Sequence, residues 1–153
     1  ILGQKATVRE FLSTKFMQKR LPLIMDSVVG AGVKHCVIMS AYGVGDTVRS
    51  ASFLMRVACK TIMRSIFRDR AKADAMVAKY QPYISRVHPG LLTDKPGKGG
   101  VKVFDVASVA RVPGIPMIAR EDVADALLSI AGNPLNAGTD FLVTIDDVVL
   151  RAT

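Results

Sequence analysis

The sequence has no tryptophan, two histidines and two cysteines among its 153 residues. Cys36 and Cys59 form no CxxC pair, and neither lies at metal-ligand spacing from a histidine, which argues against a zinc motif and a disulfide scaffold. The longest stretch without a charged residue, residues 126–139, contains glycine, asparagine and proline and is too short to cross a bilayer. We therefore expect a cytoplasmic protein with reduced thiols, no metal site and no membrane partner.

The common catalytic motifs are absent as well. No GxxxxGK[ST], HExxH or GxSxG occurs in the sequence, so nothing supports an NTPase, a zinc protease or a serine hydrolase. Gly30-Ala31-Gly32 precedes a predicted strand, whereas the glycines of a dinucleotide fingerprint follow a strand and open a helix. These glycines are therefore not interpreted as a phosphate loop.

Acidic residues are scarce in the first two thirds of the chain. Lysine and arginine outnumber aspartate and glutamate by 21 to 13, for a net charge of +8, and the excess lies in residues 1–102. Arg56, Lys60, Arg64 and Arg68 recur at every fourth position, which on one helix forms a single basic stripe. The stripe is interpreted as a solvated helix face or as a surface for a phosphate or a partner. A nucleic-acid-binding module is not favoured, because aromatic residues that stack on bases are few.

Half of the residues are hydrophobic, and their spacing predicts an α/β domain. Helical periodicity predicts helices over residues 14–29, with an interruption at Pro22, and over 51–67, 69–79 and 120–130. Short apolar stretches predict strands at residues 36–39, 83–87, 101–104 and 141–145. Because helices alternate with short strands, we expect a largely parallel sheet.

Small or polar residues follow three apolar stretches that read as strands. The segments are Leu2-Gly3-Gln4-Lys5, Ser40-Ala41-Tyr42 and His88-Pro89-Gly90-Leu91. Ligands of open α/β sheets bind at the carboxyl ends of strands, so these segments form the candidate site. The Ser40 hydroxyl can donate or accept a hydrogen bond, and Gly90 allows close approach of the backbone.

Several pieces of the sequence occur in the order found in one enzyme family. They are Leu2-Gly3, Gly32-Val33-Lys34, the run from Val37 to Tyr42, the run from Asp69 to Asp74, the run from Val87 to Asp94 and the run from Ile118 to Asp125. With them the chain resembles the C-terminal portion of atypical short-chain dehydrogenases/reductases, the NAD(P)H-binding group that includes NmrA-like proteins and flavin reductases. The resemblance spans nearly the whole chain and implies a Rossmann-like, doubly wound, mainly parallel sheet. On this resemblance residues 1–153 form a single NAD(P)-binding domain whose N-terminal part, with the glycine-rich loop, precedes Ile1.

The resemblance also implies an activity. It implies a reductase, monomeric when full length, that transfers hydride from NADPH, or from NADH, to a flat small-molecule acceptor of the flavin or quinone type. Ser40 and Tyr42 are the implied catalytic residues, Ser40 near the nicotinamide and Tyr42 over the acceptor pocket. The implied cofactor-binding residues are Leu2, Gly3, Gln4, Lys5, Ser40, Ala41, His88, Pro89, Gly90 and Leu91.

Two departures from the family leave a second function open. No YxxxK pair occurs, since Asp46 stands four residues after Tyr42 and Ile84 four residues after Tyr80, which argues against alcohol or ketone chemistry. The residue that chooses between NADP and NAD is expected before Ile1, so the preference cannot be read from these residues. The alternative is a non-catalytic NAD(P)-binding sensor or regulatory scaffold of the NmrA-like type.

Overall fold

The computed structural model describes residues 15–61 and 64–151, and for Phe16 the backbone only. Within these residues the helices are α1 (Phe16–Gly30), α2 (Phe53–Lys60), α3 (Arg64–Met76) and α4 (Arg120–Ala131). The strands are β1 (Cys36–Met39), β2 (Ile84–Pro89), β3 (Leu91–Thr93), β4 (Lys102–Asp105), β5 (Val109–Arg111), β6 (Met117–Ala119), β7 (Asp140–Thr144) and β8 (Val149–Leu150). Short 3₁₀ helices cover Gly45–Arg49, Ala78–Tyr83, Val106–Ser108 and Pro134–Asn136.

The central sheet has the strand order β1-β2-β7-β4. β1, β2 and β7 run parallel, with Met39 opposite Val87 and His88 opposite Leu142, whereas β4 is antiparallel to β7. Two small pairs lie outside this sheet, the parallel pair β3-β6 and the antiparallel pair β5-β8. The predicted fold class, an α/β domain with a mainly parallel sheet, is confirmed.

Apolar side chains cover both faces of the central sheet. On one face α1 and α3 pack against β1 and β2 through a buried cluster: Leu21, Met25, Ile38, Ala73, Val77, Tyr80 and Ile84. On the other face α4 packs through a second cluster: Val87, Ile118, Val123, Ala126, Ile130 and Val143. Helices on both faces of a parallel sheet make the fold doubly wound.

Several element boundaries differ from the sequence prediction. Pro22 lies inside α1 without dividing it. In place of one helix over 51–67 there are two, of which the first ends at Lys60 and the second begins at Arg64. His88 and Pro89, predicted to stop a strand, are the last residues of β2. Proline is tolerated there because β1 pairs with β2 only as far as Val87.

None of the helices within residues 15–61 and 64–151 has the length and apolar character needed to cross a membrane. In the same part of the chain, no group of three or more His, Cys, Asp or Glu side chains is placed to hold a metal ion.

Candidate functional site at the carboxyl ends of two parallel strands

The segments that follow β1 and β2 lie side by side. Main-chain hydrogen bonds continue the pairing past the strand ends, from Ser40 N to Val87 O at 2.7 Å and from Tyr42 N to Pro89 O at 2.9 Å. We call these two segments, residues 40–42 and 88–91, the carboxyl rim. The rim brings together all the predicted site residues that the structure describes; Leu2, Gly3, Gln4 and Lys5 lie outside the described residues.

Ser40 is buried and has a fixed partner. Its side chain lies on the face of the sheet that α3 covers, and its Oγ donates a 2.6 Å hydrogen bond to Oδ2 of Asp74. Asp74 is also buried, 5% exposed. Because a hydroxyl donates once and accepts twice, this bond leaves the acceptor lone pairs of the Ser40 Oγ available.

Arg70, one turn before Asp74 on α3, also binds the end of β1. Its Nη1 donates a 2.5 Å hydrogen bond to the carbonyl oxygen of Met39, the last residue of β1. Burial lowers the pKa of the Arg70 guanidinium, while the charges of Asp74 and Asp69 raise it. Asp69 in turn accepts from the backbone N of Met17, at 2.9 Å, at the start of α1. These polar contacts therefore tie both α1 and the end of β1 to α3.

His88 lies beside Ser40 in the sheet and is 4% exposed. Its Nδ1 is 3.2 Å from the carbonyl oxygen of Ala41. A carbonyl can only accept, so Nδ1 carries the proton of this hydrogen bond and Nε2 is unprotonated in the neutral ring. Burial lowers the pKa of His88, and the hydrogen bond to Ala41 and the charges of Asp140 and Asp74 partly oppose that shift. His88 is therefore a neutral link between the two segments of the rim.

Tyr42 is enclosed rather than placed at an open surface. The residue is 1% exposed and its hydroxyl is 3.3 Å from Oγ of Ser50. The ring belongs to an apolar cluster with Val44, Met55 and Phe67. Burial raises the pKa of the Tyr42 phenol, and the hydrogen bond with Ser50 partly offsets this. The family resemblance implied an aromatic ring over an open pocket, and the structure differs because α2 and α3 close over the ring.

Gly90 and Leu91 use their backbone donors within the chain. Gly90 N donates to Val143 O at 3.3 Å, and Leu91 N donates to Pro116 O at 2.8 Å. A Cβ at Gly90 would lie 2.6 Å from that Pro116 oxygen, closer than real contacts allow. The glycine is therefore required by the close approach of the segment before β6, and not only by room for a ligand.

Asp74 and Arg70 belong to this site, but the sequence analysis assigned them no role. Asp74 lies next to Ala73 and close to Val77 on the buried side of α3, and a carboxylate on an apolar helix face is a signal that it has a buried partner. Nothing in the sequence identifies that partner as Ser40, which is 34 residues away.

Solved structures with this fold share little sequence with the chain. ChuY, an anaerobillin reductase from Escherichia coli O157:H7, matches with a TM-score of 0.63 at 18% identity, over 83% of this chain and 57% of that one. A short-chain dehydrogenase/reductase from Veillonella parvula, in complex with NADP, matches with a TM-score of 0.67 at 13% identity, over 86% and 59%. A candidate NADH-flavin reductase from Streptococcus pneumoniae matches with a TM-score of 0.68 at 12% identity, over 94% and 68%. At these identities the matches show a Rossmann-like fold and nothing finer.

The chain spans 66% and 61% of the length of two further solved structures, ChuY from Escherichia coli CFT073 and a protein from Bacillus halodurans. No curated protein matches the chain significantly. Residues 3–134, most of the sequence, match the family described as NAD(P)H-binding. With the doubly wound sheet and the rim at its carboxyl edge, this match establishes that the chain belongs to the NAD(P)H-binding family.

Proposed function

We propose that this chain forms the part of an NAD(P)H-dependent reductase that holds the nicotinamide and the hydride acceptor. The observation that supports this most directly is the carboxyl rim, where the ends of two parallel strands are joined by the bond from Tyr42 N to Pro89 O. Dinucleotides bind outside the carboxyl ends of strands in such sheets. The family match supports the same cofactor class.

The residues of the rim fit a nicotinamide as a preformed wall. The side chains of Ser40 and His88 and the N–H groups of Gly90 and Leu91 are all hydrogen-bonded within the chain. Ala41, between them, is partly exposed. A wall of this kind needs no reorganisation when a ring packs against it, which favours a fixed ring orientation.

Each predicted site residue has a role in this proposal. Ser40 Oγ, held by Asp74, accepts a hydrogen bond from the carboxamide, and Ala41 supports the ring face. His88, Pro89, Gly90 and Leu91 form the edge on which the carboxamide lies. Tyr42 shapes the acceptor side from beneath. Leu2, Gly3, Gln4 and Lys5 are proposed, from the sequence alone, to line the ribose and phosphates.

The acceptor is proposed to be a flat small molecule of the flavin or quinone type. When bound, the reduced nicotinamide supplies a hydride, which carries two electrons and one proton. A flavin or a quinone needs only one further proton, which water can provide, so the rim requires no buried acid. This agrees with the enclosed Tyr42 phenol and with the absence of a YxxxK pair from the sequence. The flavin reductase and anaerobillin reductase named among the structural matches support an acceptor of this shape.

NADP is the proposed cofactor, with NAD as the alternative; the Veillonella parvula complex with NADP supports this order. We also propose that the protein works in the cytoplasm as a monomer. Its two cysteines are unpaired, as is usual in a reducing compartment.

The test is an assay of acceptor-dependent NADPH oxidation. The protein assayed contains this chain together with any coding sequence that precedes Ile1. NADPH is mixed with FMN or with menadione, and the absorbance of the reduced nicotinamide is followed. We expect the oxidation rate to rise with protein and to saturate with at least one acceptor. A protein that neither binds NADPH nor accelerates its oxidation would contradict the proposal.

One observation favours the second candidate function, a non-catalytic NAD(P)-binding sensor. The side chains of Ser40, Tyr42 and His88 all have partners within the chain, so none is free to act as an acid. A sensor binds NADPH, measured by calorimetry, without oxidising it in the presence of either acceptor. Turnover in the same sample excludes it.

A further inference from the structure

A cavity of about 530 Å³ lies next to the carboxyl rim and is bordered by the loop after β1 and by the start of α3. Its apolar floor includes Val44 and Phe67, and three cations, Lys60, Arg64 and Arg68, line it. Ligand pockets have volumes of roughly 300–1,000 Å³, so this cavity is large enough for part of a small molecule. It is not formed by the rim itself.

The three cations come from the basic stripe that the sequence shows at every fourth position. Lys60 is the last residue of α2 and Arg64 is the first residue of α3. Arg56, the first cation of the stripe, turns away, and its guanidinium donates to the carbonyl oxygens of Ala51 and Arg49. The remaining three cations of the stripe line the cavity.

These cations form no ion pair with an acidic residue in the part of the chain that the structure describes. Within residues 15–61 and 64–151 the ion pairs are Arg49–Asp46, Arg86–Asp140, Lys102–Asp147 and Arg120–Asp94. Lys60, Arg64 and Arg68 are in none of these pairs and are exposed. Like charges at this spacing repel one another, and an anion that contacts two or three of them removes that repulsion.

The loop that forms the other wall directly continues the rim. Gly43 follows Tyr42 and has a φ of +91°, and a Cβ there would lie 2.7 Å from Sγ of Cys59. Only glycine allows the loop to turn so closely over α2 at this point. Tyr42, Val44 and Phe67 belong to one buried cluster, so the floor of the cavity and the rim are parts of the same packed unit.

We propose that this cavity binds the anionic substituent of the hydride acceptor, with Lys60, Arg64 and Arg68 as its ligands. The proposal rests on the reductase function proposed above and adds the substrate class: a flat acceptor with a phosphate or carboxylate side group. The ring lies against the rim, and its charged group extends over Gly43 to the three cations. Guanidinium groups suit this task because they bind phosphate and carboxylate oxygens in a two-pronged geometry.

The experiment compares the binding of FMN and riboflavin, two flavins that differ by one phosphate. Flavin fluorescence quenching measures both affinities without turnover, at low and at high salt. We expect FMN to bind roughly tenfold or more tightly than riboflavin, because a charge-assisted hydrogen bond is worth about 1.5–3 kcal/mol. The preference should shrink at high salt, since the cations are exposed.

Three variants test whether the cations cause the preference for FMN over riboflavin. Arg64→Ala/Arg68→Ala should reduce the preference for FMN to within about twofold, and Arg64→Lys/Arg68→Lys should restore part of it because the charges remain. Lys34→Ala is the matched control: it removes one exposed positive charge near the amino end of β1, at the opposite edge of the sheet, and should leave the preference unchanged.

Each result decides the proposal. Equal affinities for the two flavins in the wild type, or a preference for FMN that survives in the alanine variant, would overturn it. It would also be overturned if the alanine variant weakened binding of NADPH relative to NADH and left both flavin affinities unchanged, because the cations would then read the cofactor phosphate. Measurements of NADPH oxidation distinguish failure of the cavity proposal from failure of the reductase proposal. Turnover without a preference for FMN overturns only the proposed anion site in the cavity. A cation-dependent preference for FMN without turnover overturns only the proposed reductase function.

Discussion

At the scale of single residues, the hydrogen bond between Ser40 and Asp74 is the contact that fixes the Ser40 side chain in the rim. Both residues are buried, and their hydrogen bond joins the end of β1 to α3. The sequence identified Ser40 because a polar residue follows an apolar strand at the edge where ligands bind. It could not identify the partner, because only the packing of α3 on the sheet brings Asp74 to this position.

Ser40→Ala should therefore lower both the stability and the turnover of the protein. The substitution leaves the buried Asp74 carboxylate without its donor, at a cost of about 1–3 kcal/mol in the free energy of unfolding. It also removes the acceptor proposed for the carboxamide, so kcat/KM for NADPH oxidation should fall several-fold. Urea unfolding and steady-state kinetics measure the two effects. Ser108→Ala, at an exposed serine in a surface 3₁₀ helix, serves as control. Unchanged kinetics in Ser40→Ala would remove the hydroxyl from the site.

The burial of His88 predicts how stability depends on pH. Its pKa in the folded chain lies below its ordinary value of 6.5, so the unfolded chain binds more protons in the interval between the two values. Stability should be constant above about pH 7 and should fall by up to about 1.4 kcal/mol per pH unit as the pH drops through 6.5. The fall should stop once the pH passes the pKa of the folded state.

Unfolding midpoints measured at several pH values between about 5 and 8 test this dependence. His88→Asn should flatten the slope, because the titrating group is gone while a side-chain donor to Ala41 remains. His35→Asn, at the other histidine of the chain, should leave the slope that belongs to His88 in place. A slope that persists unchanged in His88→Asn would assign it to other groups.

At the scale of elements, the sequence predicted those helices and strands that have a clear apolar pattern of their own. The continuous apolar run from Cys36 to Met39 is β1, and the carboxylates Glu121 and Asp122 lie in the first turn of α4. The strands β3 and β6 were missed because each has only three residues and exists through its pairing with the other. The predicted interruption at Pro22 did not occur, since Leu21 and Met25 on either side of it are packed in the core.

Ser52 explains why the helix predicted from Ala51 starts at Phe53. Its Oγ accepts from Met55 N at 3.2 Å, as an N-cap does, and donates to Gly114 O, which ties α2 to the loop before β6. Ser52→Ala should cost about 2 kcal/mol in the free energy of unfolding, since both contacts are lost. Ser27→Ala, at an exposed serine inside α1, should change the same quantity by less than about 0.5 kcal/mol. If both variants lost a similar amount of unfolding free energy, the two hydrogen bonds of Ser52 would not contribute the stability assigned to them.

At the scale of the whole molecule, the order of the strands in the sheet could not be predicted from the sequence. Among the strands of the described residues β7 is the next to last in sequence, yet it lies between β2 and β4 and is antiparallel to β4. The bidentate pair of Arg86 and Asp140, with bonds of 2.8 and 2.6 Å, joins the register partners of β2 and β7. Neither residue shows this partnership in the linear sequence, because 54 residues separate them.

The same strand order places the rim and the cationic cavity at one end of the molecule. β1 is an outer strand of the described sheet, and the segments after β1 and β2 share its carboxyl edge. Ala41 and Leu91 are partly exposed at this edge, and Gly43 lines the cavity beside it. We propose no ligand contact at the amino edge of the sheet, where Lys34 precedes β1.

An amide NMR titration with NADPH shows whether the carboxyl rim holds the nicotinamide, as we propose. We expect the signals of Ala41, Tyr42 and Leu91 to shift in proportion to saturation, while those of Lys34 and Gly138, remote from the rim, stay in place. Binding of NADPH that moves the amino-edge signals and leaves the rim unchanged would contradict the account, as would the absence of any shift at saturating NADPH.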